Sequence, residues 1–441
     1  MPKKNKKQKR GPIGRTLVKQ MYSKKPRPQK NSEFKFVHST ETVSRGEKAA
    51  RNLESIIEQN DLEQFFQAAQ AQARDFAATH KSNIVLTSTA RAIETVYDPT
   101  VDQPFLHTKL PIPTRPEWNR NQTKAQIREN EGNVYLNWRR ELADIEKETK
   151  YTMAPFEKNI LVWQQLWRVV EKSHVIVQIV DVREPLFYFS QALHEYCGTF
   201  SLSSTDTSGF NEQLLVPEEK DGPKSTIVML NKCDLVPEEV SAAIENYFRS
   251  KGVETIRYSA KDETGMYKDM FLNFVDNKRV EYELEKIHIG FVGFPNVGKS
   301  SVINNLYGEK VVAISAQPGK TKHFQSGVFT DVIRFYDCPG LVFPKLTLNK
   351  SYLVLYGVLS ADKVRDYRSP CELITHLVEK SELERIYHIT IEEDGHGPLL
   401  MAIAVSHSWF SHGAKPNEGK AARVVMKDWN SGIIPHWTIP Q

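Results

Sequence analysis

Gly293-Phe-Pro-Asn-Val-Gly-Lys-Ser300 is the stretch on which the fold turns. An apolar run, KIHIGFV (286–292), leads into it, and a helix candidate, SSVINNLY (300–307), follows. Strand, glycine-bearing turn and helix in that order make a phosphate cradle. The glycines let successive backbone N–H groups wrap an anion, and the helix N-terminus adds its dipole. In that frame Lys299 reaches the β- and γ-phosphates of a nucleotide and the Ser300 hydroxyl ligates Mg²⁺. The candidate phosphate-binding set is Gly293, Asn296, Val297, Gly298, Lys299, Ser300 and Ser301, with Gly340 joining from downstream.

Asp337-Cys-Pro-Gly340 follows a second apolar run, VIRFY (332–336). An aspartate ending a strand close to a phosphate loop suits a Mg²⁺ ligand, and the Gly340 N–H suits the γ-phosphate. Between the two motifs, Pro318-Gly-Lys-Thr321 supplies a loop threonine, Thr321, placed to ligate Mg²⁺ in the triphosphate state. Base choice comes from Asn231-Lys232-Cys-Asp234 after the strand TIVML (226–230). A carboxylate at Asp234 accepts both N1–H and the exocyclic amine of guanine. Adenine offers no such pair of donors and would leave the carboxylate unpaired. Asn231 braces the loops, the Lys232 stem lies along the base, and Ser259-Ala260 fits the loop whose backbone N–H reads guanine O6. The nucleotide expected is GTP, with GDP as product.

A Ras-like GTPase meets these motifs in the order phosphate loop, switch threonine, DxxG, NKxD, SA. Here NKxD at 231 and SA at 259 precede the phosphate loop at 293, so the expected fold is a circularly permuted α/β P-loop GTPase domain. The DxxG segment then runs straight out into residues 346–441, which makes that part the expected mechanical output when the γ-phosphate is lost. Leu341 stands where Ras-type enzymes carry a water-orienting glutamine, a task no alkyl chain performs. Slow intrinsic hydrolysis and acceleration by a partner are the expectation. The Asn296 amide oxygen is a candidate ligand for a monovalent cation, K⁺ being the natural one.

Outward from the motifs, apolar strands are expected at Val175–Val180, Thr226–Leu230, Glu254–Tyr258 and His288–Val292, alternating with helices over 156–172, 237–250 and 264–281. That alternation argues for a parallel sheet covered on both faces. The layout expected is a basic tail at 1–32, a helical and extended region at 33–150, a permuted GTPase domain at 151–345 with a flexible loop at 198–225, and a mainly helical domain at 346–441. Within 33–150, helical patterns cover Arg51–Thr79 and Asn133–Lys150, with a proline-punctuated extended stretch through Pro104, Pro111, Pro113 and Pro116 between them. Trp163 and Trp167, one helical turn apart, read as core.

Among 441 residues, 59 Lys+Arg against 54 Asp+Glu give a net charge of only +5. Twelve of the basic residues and none of the acidic ones fall in 1–32, so the remaining 409 residues carry 47 basic and 54 acidic groups, a net −7. The tail, with Lys3, Lys4, Lys6, Lys7, Lys9, Arg10, Arg15 and Lys19 as RNA-contact candidates, suits a polyanion bound with salt-dependent affinity. A nuclear or nucleolar targeting signal would use the same residues. Four scattered cysteines without a CxxC pair support neither a disulfide framework nor a zinc site and fit a reducing compartment. No apolar run approaches 18 residues, so no membrane span is expected.

At these residues the chain resembles the circularly permuted GTPases that assemble ribosomes and, more narrowly, the large subunit GTPase 1 family. The likeness extends over RPEWNRNQT (115–123), LNWRREL (136–142), APFEKN (154–159), WQQLWRVVEKSHVIVQIVDVREP (163–185), NKCDL (231–235), PGKTKHFQ (318–325), DCPGLVFP (337–344) and AARVVMKDWNSG (421–432). It departs at Gln317 and Lys320, where relatives usually carry Thr and His. The resemblance implies a eukaryotic, cytoplasmic GTPase, able to shuttle to the nucleus. It would act as a monomer on the rRNA and proteins of the immature large (60S) ribosomal subunit and help release that subunit's nuclear export adaptor. By the same resemblance, Asp181 and Arg183 in DVREP belong to a motif shared by permuted GTPases, and the residues themselves read only as a strand-end aspartate with a neighbouring ion pair. Two alternatives stay open: a GTP-binding placeholder with negligible turnover, and a nucleolar or mitochondrial relative.

Overall fold

Residues 37–38, 109–119, 121–149, 152–198, 224–311, 325–347 and 349–440 are described by the computed structural model of this chain. The basic tail, the helical patterns of 51–79, Gln317, Lys320, Thr321 and all but the ends of the 198–225 stretch lie outside the described residues. The strands are β1 (Val37–His38), β2 (Thr152–Met153), β3 (Val175–Asp181), β4 (Ser225–Asn231), β5 (Thr255–Arg257), β6 (Ile287–Gly293), β7 (Gln325–Val328), β8 (Ile333–Asp337) and β9 (Leu346–Thr347). Seven of them form one sheet in the order β1-β7-β8-β6-β3-β4-β5, and β2 pairs with β9 alone. From β8 to β5 every pairing is parallel, and β7 and β1 run antiparallel at the far edge.

Parallel strands covered on both faces need near-continuous apolar sequence. VIVQIVD supplies it, and every residue of β3 is buried. The strand that ends in the phosphate loop, β6, lies at the middle of the sheet between β8 and β3, although it comes after β3, β4 and β5 in the chain. That placement is the circular permutation in three dimensions. Each sequence-expected strand is present with its ends moved by about one residue: β3, β4 and β6 gain flanking residues that the ladder pairs, and β5 loses one at each end.

The helices are α1 (Lys124–Glu148), α2 (Ile160–Lys172), α3 (Pro185–Tyr188), α4 (Gln191–Gly198), α5 (Glu238–Ser250), α6 (Met266–Glu281), α7 (Lys299–Tyr307), α8 (Ser351–Leu355), α9 (Arg368–Leu377), α10 (Lys380–Tyr387), α11 (His396–Ser406) and α12 (Glu418–Ser431). α1 begins at Lys124 rather than at Asn133. Thr123 and Gln126 close a capping box there, a T-x-x-Q signal that lies ahead of the apolar stripe. α2 starts behind Asn159, whose side chain accepts from the Leu161 N–H at 3.0 Å. Its apolar face is fully buried, Trp163 and Trp167 included.

Two indoles pin the proline-rich stretch to this core, and a third holds the chain just before α2. Trp138 Nε1 donates to Pro111 O and Trp167 Nε1 to Pro113 O, both at 2.7 Å, and Trp163 Nε1 donates to Glu157 O at 2.9 Å. Proline lacks an N–H but keeps its carbonyl, so indole donors satisfy what a sheet ladder would otherwise take. α8 to α12 build the helical part after β9, with α11 and α12 packed on each other. Among the described residues no helix is long and apolar enough to cross a membrane.

Candidate nucleotide site

β6 delivers Gly293 to the top of the sheet, and the chain turns through 294–298 into α7. Two left-handed residues, Asn296 (φ +64°) and Gly298 (φ +99°), make the turn. Backbone alternation of this kind gathers N–H groups into an anion-holding nest. Gly298 leaves no room for a side chain unless Asn231 moves, because an added Cβ would lie 2.3 Å from Asn231 Nδ2. Ser300 and Ser301 sit half-buried in the first turn of α7.

Beneath the turn, Lys299 is buried and its ammonium donates to Gly293 O and Phe294 O, each at 3.1 Å. Asp337 ends β8, paired in register with Phe291 of β6, which puts the DCPG turn beside the phosphate loop. The Leu341 N–H donates to Gly293 O at 3.1 Å and docks one turn on the other. Gly340 lies against Lys299, an added Cβ there being 3.3 Å from Nζ. Asp337 is buried and neither of its carboxyl oxygens has a hydrogen-bond partner. Burial pushes the Asp337 carboxyl up to about 7, against the opposing pull of Lys299, and burial likewise lowers Lys299.

Buried polar groups are almost always partnered, so an orphaned carboxylate beside a desolvated ammonium asks for a ligand. An anionic nucleotide with a divalent cation meets both needs. Ser300 and Asp337 are the described residues able to hold Mg²⁺, and Thr321 lies outside them. Leu341 is fully buried in the core.

The guanine loop stands one strand over. β3 and β4 are paired in register from Val175↔Ser225 to Asp181↔Asn231, so their C-terminal ends are side by side. Asn231 Nδ2 donates to Val297 O at 2.7 Å and ties this loop to the phosphate turn. Ser259 Oγ donates to Asp234 Oδ1 at 2.7 Å, orienting the carboxylate. Cys233 N–H donates to Tyr258 O at 3.2 Å, which joins the loops after β4 and β5, and Ala260 is half-buried beside them. The described members of the phosphate and guanine sets therefore converge on one end of the sheet, at the C-terminal ends of β4, β5, β6 and β8.

Residues 288–403 match the 50S ribosome-binding GTPase family model. Large subunit GTPase 1 of Saccharomyces cerevisiae is 32% identical, over 87% of this chain and 68% of that one. Large subunit GTPase 1 of Schizosaccharomyces pombe is also 32% identical, over 92% of this chain and 71% of that one. The chain belongs to the large subunit GTPase 1 family. It is a GTPase, with the motifs of its fold in permuted order. Among solved structures, GNP-bound YlqF from T. maritima covers 63% of this chain and 97% of its own at 18% identity and a TM-score of 0.41.

Two features of this GTPase site were not legible at the level of motifs. Lys232 Nζ does not stand free beside the base position but donates to Asp181 Oδ2 at 2.6 Å. Arg183 grips the same carboxylate, Nε to Oδ1 at 2.9 Å and Nη2 to Oδ2 at 2.6 Å. Burial alone would raise Asp181, and the Arg183 and Lys232 charges hold it well below the usual carboxylate range. The in-register pairing of DVREP's strand with that of NKCD is the signal that would have found this triad. Asn296, in turn, donates its Nδ2 to Gly357 O at 2.8 Å.

Proposed function

We propose that this GTPase works on the immature large (60S) ribosomal subunit, in its late cytoplasmic maturation, and helps to release the subunit's nuclear export adaptor. Support comes from about a third of residues being identical to large subunit GTPase 1 over most of the chain, far beyond the nucleotide motifs. The phosphate loop, with Lys299, Ser300 and Ser301, would hold the phosphates. Asn231, Lys232, Asp234, Ser259 and Ala260 would hold guanine, and Ser300, Thr321 and Asp337 would hold Mg²⁺. Held there, Mg²⁺ would supply positive charge against the negative charge that develops as the phosphoryl group is transferred.

The observation that carries the kinetic part is the burial of Leu341. With no side chain to orient water, turnover alone should be on the order of 10⁻³ s⁻¹ or less, and the subunit should raise it roughly 10³-fold. Single-turnover GTP hydrolysis with and without purified large subunits tests this. No acceleration by subunits that bind the protein would make it a placeholder. Asn296 is proposed to hold K⁺, and equal turnover in potassium and sodium buffers would end that role. The basic residues of 1–30 are proposed to meet rRNA, and a truncation that leaves subunit affinity and its salt slope unchanged would overturn the assignment.

A further inference from the structure

We infer that the C-terminal end of α12 is part of the support of the guanine loop, with Asp181 and Arg183 as positioning residues that tie occupancy of the base site to the helical part of the chain. The inference rests on the reading of Asn231–Asp234 as the guanine loop. It differs from a γ-phosphate switch, because it responds to the base and therefore to GDP as much as to GTP.

The contacts run in one unbroken series. Lys232 holds a left-handed backbone (φ +69°), a conformation unfavourable for a non-glycine residue, and its ammonium is fixed on Asp181. Asp181 is shared with Arg183, and both are buried. Arg183 then spends its remaining donors on the last turn of α12: Nη1 to Trp429 O and Nη2 to Asn430 O, each at 3.0 Å. The final carbonyls of a helix carry its negative dipole end, so a guanidinium is well suited to them, and Trp429 O takes Arg183 in addition to the N–H of the C-cap Gly432. A second, apolar contact closes the loop from the other side. Gly432 ends α12 in the left-handed region (φ +86°), and an added Cβ there would lie 2.8 Å from Cδ1 of Leu235, the residue after Asp234. Beyond α12 the chain returns once more, with Thr438 N–H donating to Arg183 O at 2.8 Å.

The guanine loop therefore touches α12 by charge through Lys232, Asp181 and Arg183, and by packing through Leu235. A base that fixes the loop favours the docked helix, and the docked helix must favour the base by the same factor. Nothing in this series includes Thr321, Gly340 or any residue that the γ-phosphate would contact.

Hydrogen exchange on the full-length protein, empty, with GDP and with a non-hydrolysable GTP analogue, tests the coupling. Amides of 428–434 should exchange on the order of 10-fold more slowly with GDP than without nucleotide, and equally slowly with the analogue. Lys232→Met, which keeps the alkyl stem, should abolish that protection at saturating GDP while the amides of α7 stay protected. Gly432→Ala, which alters no residue assigned to the nucleotide site, should speed dissociation of a fluorescent GDP by a similar factor. Arg183→Lys should do the same where Gly432→Ala does not fold. Protection of α7 with no change at 428–434, or wild-type dissociation from both Gly432→Ala and Arg183→Lys, overturns the inference. GDP giving no protection at 231–235 or α7 removes the guanine-loop reading and the inference together.

Discussion

Gly298→Ala adds one methyl group to the turn that joins the two nucleotide loops, and its effect can be worked out before it is made. The new Cβ would lie 2.3 Å from Asn231 Nδ2, the same atom that donates to Val297 O at 2.7 Å. Asn231 must swing away and leave that carbonyl. A buried hydrogen bond broken with its partners left unmet costs about 1–3 kcal/mol. Holding alanine at φ +99° costs about 1–2 kcal/mol more. Together these come to about 2–5 kcal/mol, charged to the conformation that aligns phosphate and guanine loops. At about 1.4 kcal/mol per decade, affinity for a fluorescent GDP should fall by roughly 30-fold to several thousand-fold. Gly308→Ala is the control. It too is left-handed (φ +71°), at the other end of α7, but its Cβ would meet nothing within 4 Å. It should lower stability by about 1 kcal/mol and leave GDP affinity alone. If Gly298→Ala binds GDP within threefold of the natural protein, the bracing role given to Asn231 is wrong.

Three further outcomes are expected. Leu341→Gln should not restore turnover, because the side chain is fully buried. A buried amide without partners should instead destabilise the protein by about 1–3 kcal/mol in urea unfolding, and faster hydrolysis would refute this. Asp337→Asn should abolish Mg²⁺-dependent hydrolysis yet stabilise the nucleotide-free protein at alkaline pH. The folded carboxyl, raised to about 7, contributes stability that is present below pH 4 and lost as pH rises through 7, about 4 kcal/mol in all. Melting curves in EDTA at pH 5 and pH 8 read the difference, which should appear at pH 8. His174 gives the opposite sign. Burial, then the His288 and Lys224 charges, hold it down at about 4, so its contribution is full above about pH 6.5 and lost as pH falls through 4. Urea unfolding should show a loss of up to about 3 kcal/mol between pH 7.5 and pH 4, smaller in His174→Gln.

The parts of the molecule legible in the sequence are those whose physics is local. Gly293–Ser300 announces its turn because glycine suits φ +99° under Asn231, and VIVQIV, apolar but for Gln178, announces a strand buried on both faces because so short and β-branched an apolar run suits a covered parallel sheet. The motif order alone specified a permuted sheet, and β6 lies at its centre accordingly. What stayed hidden was long-range. Arg183 meets carbonyls 246 and 247 residues away, and Asn296 a carbonyl 61 residues away. Their partners are backbone groups, which leave no mark on side-chain patterns. The start of α1 was missed for a different reason: Thr123 and Gln126 are polar, and hydrophobic periodicity does not see caps.

The small β2–β9 ladder has a mechanical consequence. The chain enters the permuted core at Thr152–Met153 and leaves it at Leu346–Thr347, and the two segments run antiparallel. Ala154 N–H to Lys345 O at 2.8 Å and Glu157 N–H to Val342 O at 2.9 Å extend the seam inward. A force that draws the entering and leaving chains apart therefore acts at one end of the seam and peels it, one bond of about 1 kcal/mol after another, instead of shearing all at once. The inner end of the seam lies at Val342, next to Leu341, whose N–H donates to Gly293 O at the phosphate turn. Held between two anchors on a large particle, the protein would give way first at a tear-strip two residues wide.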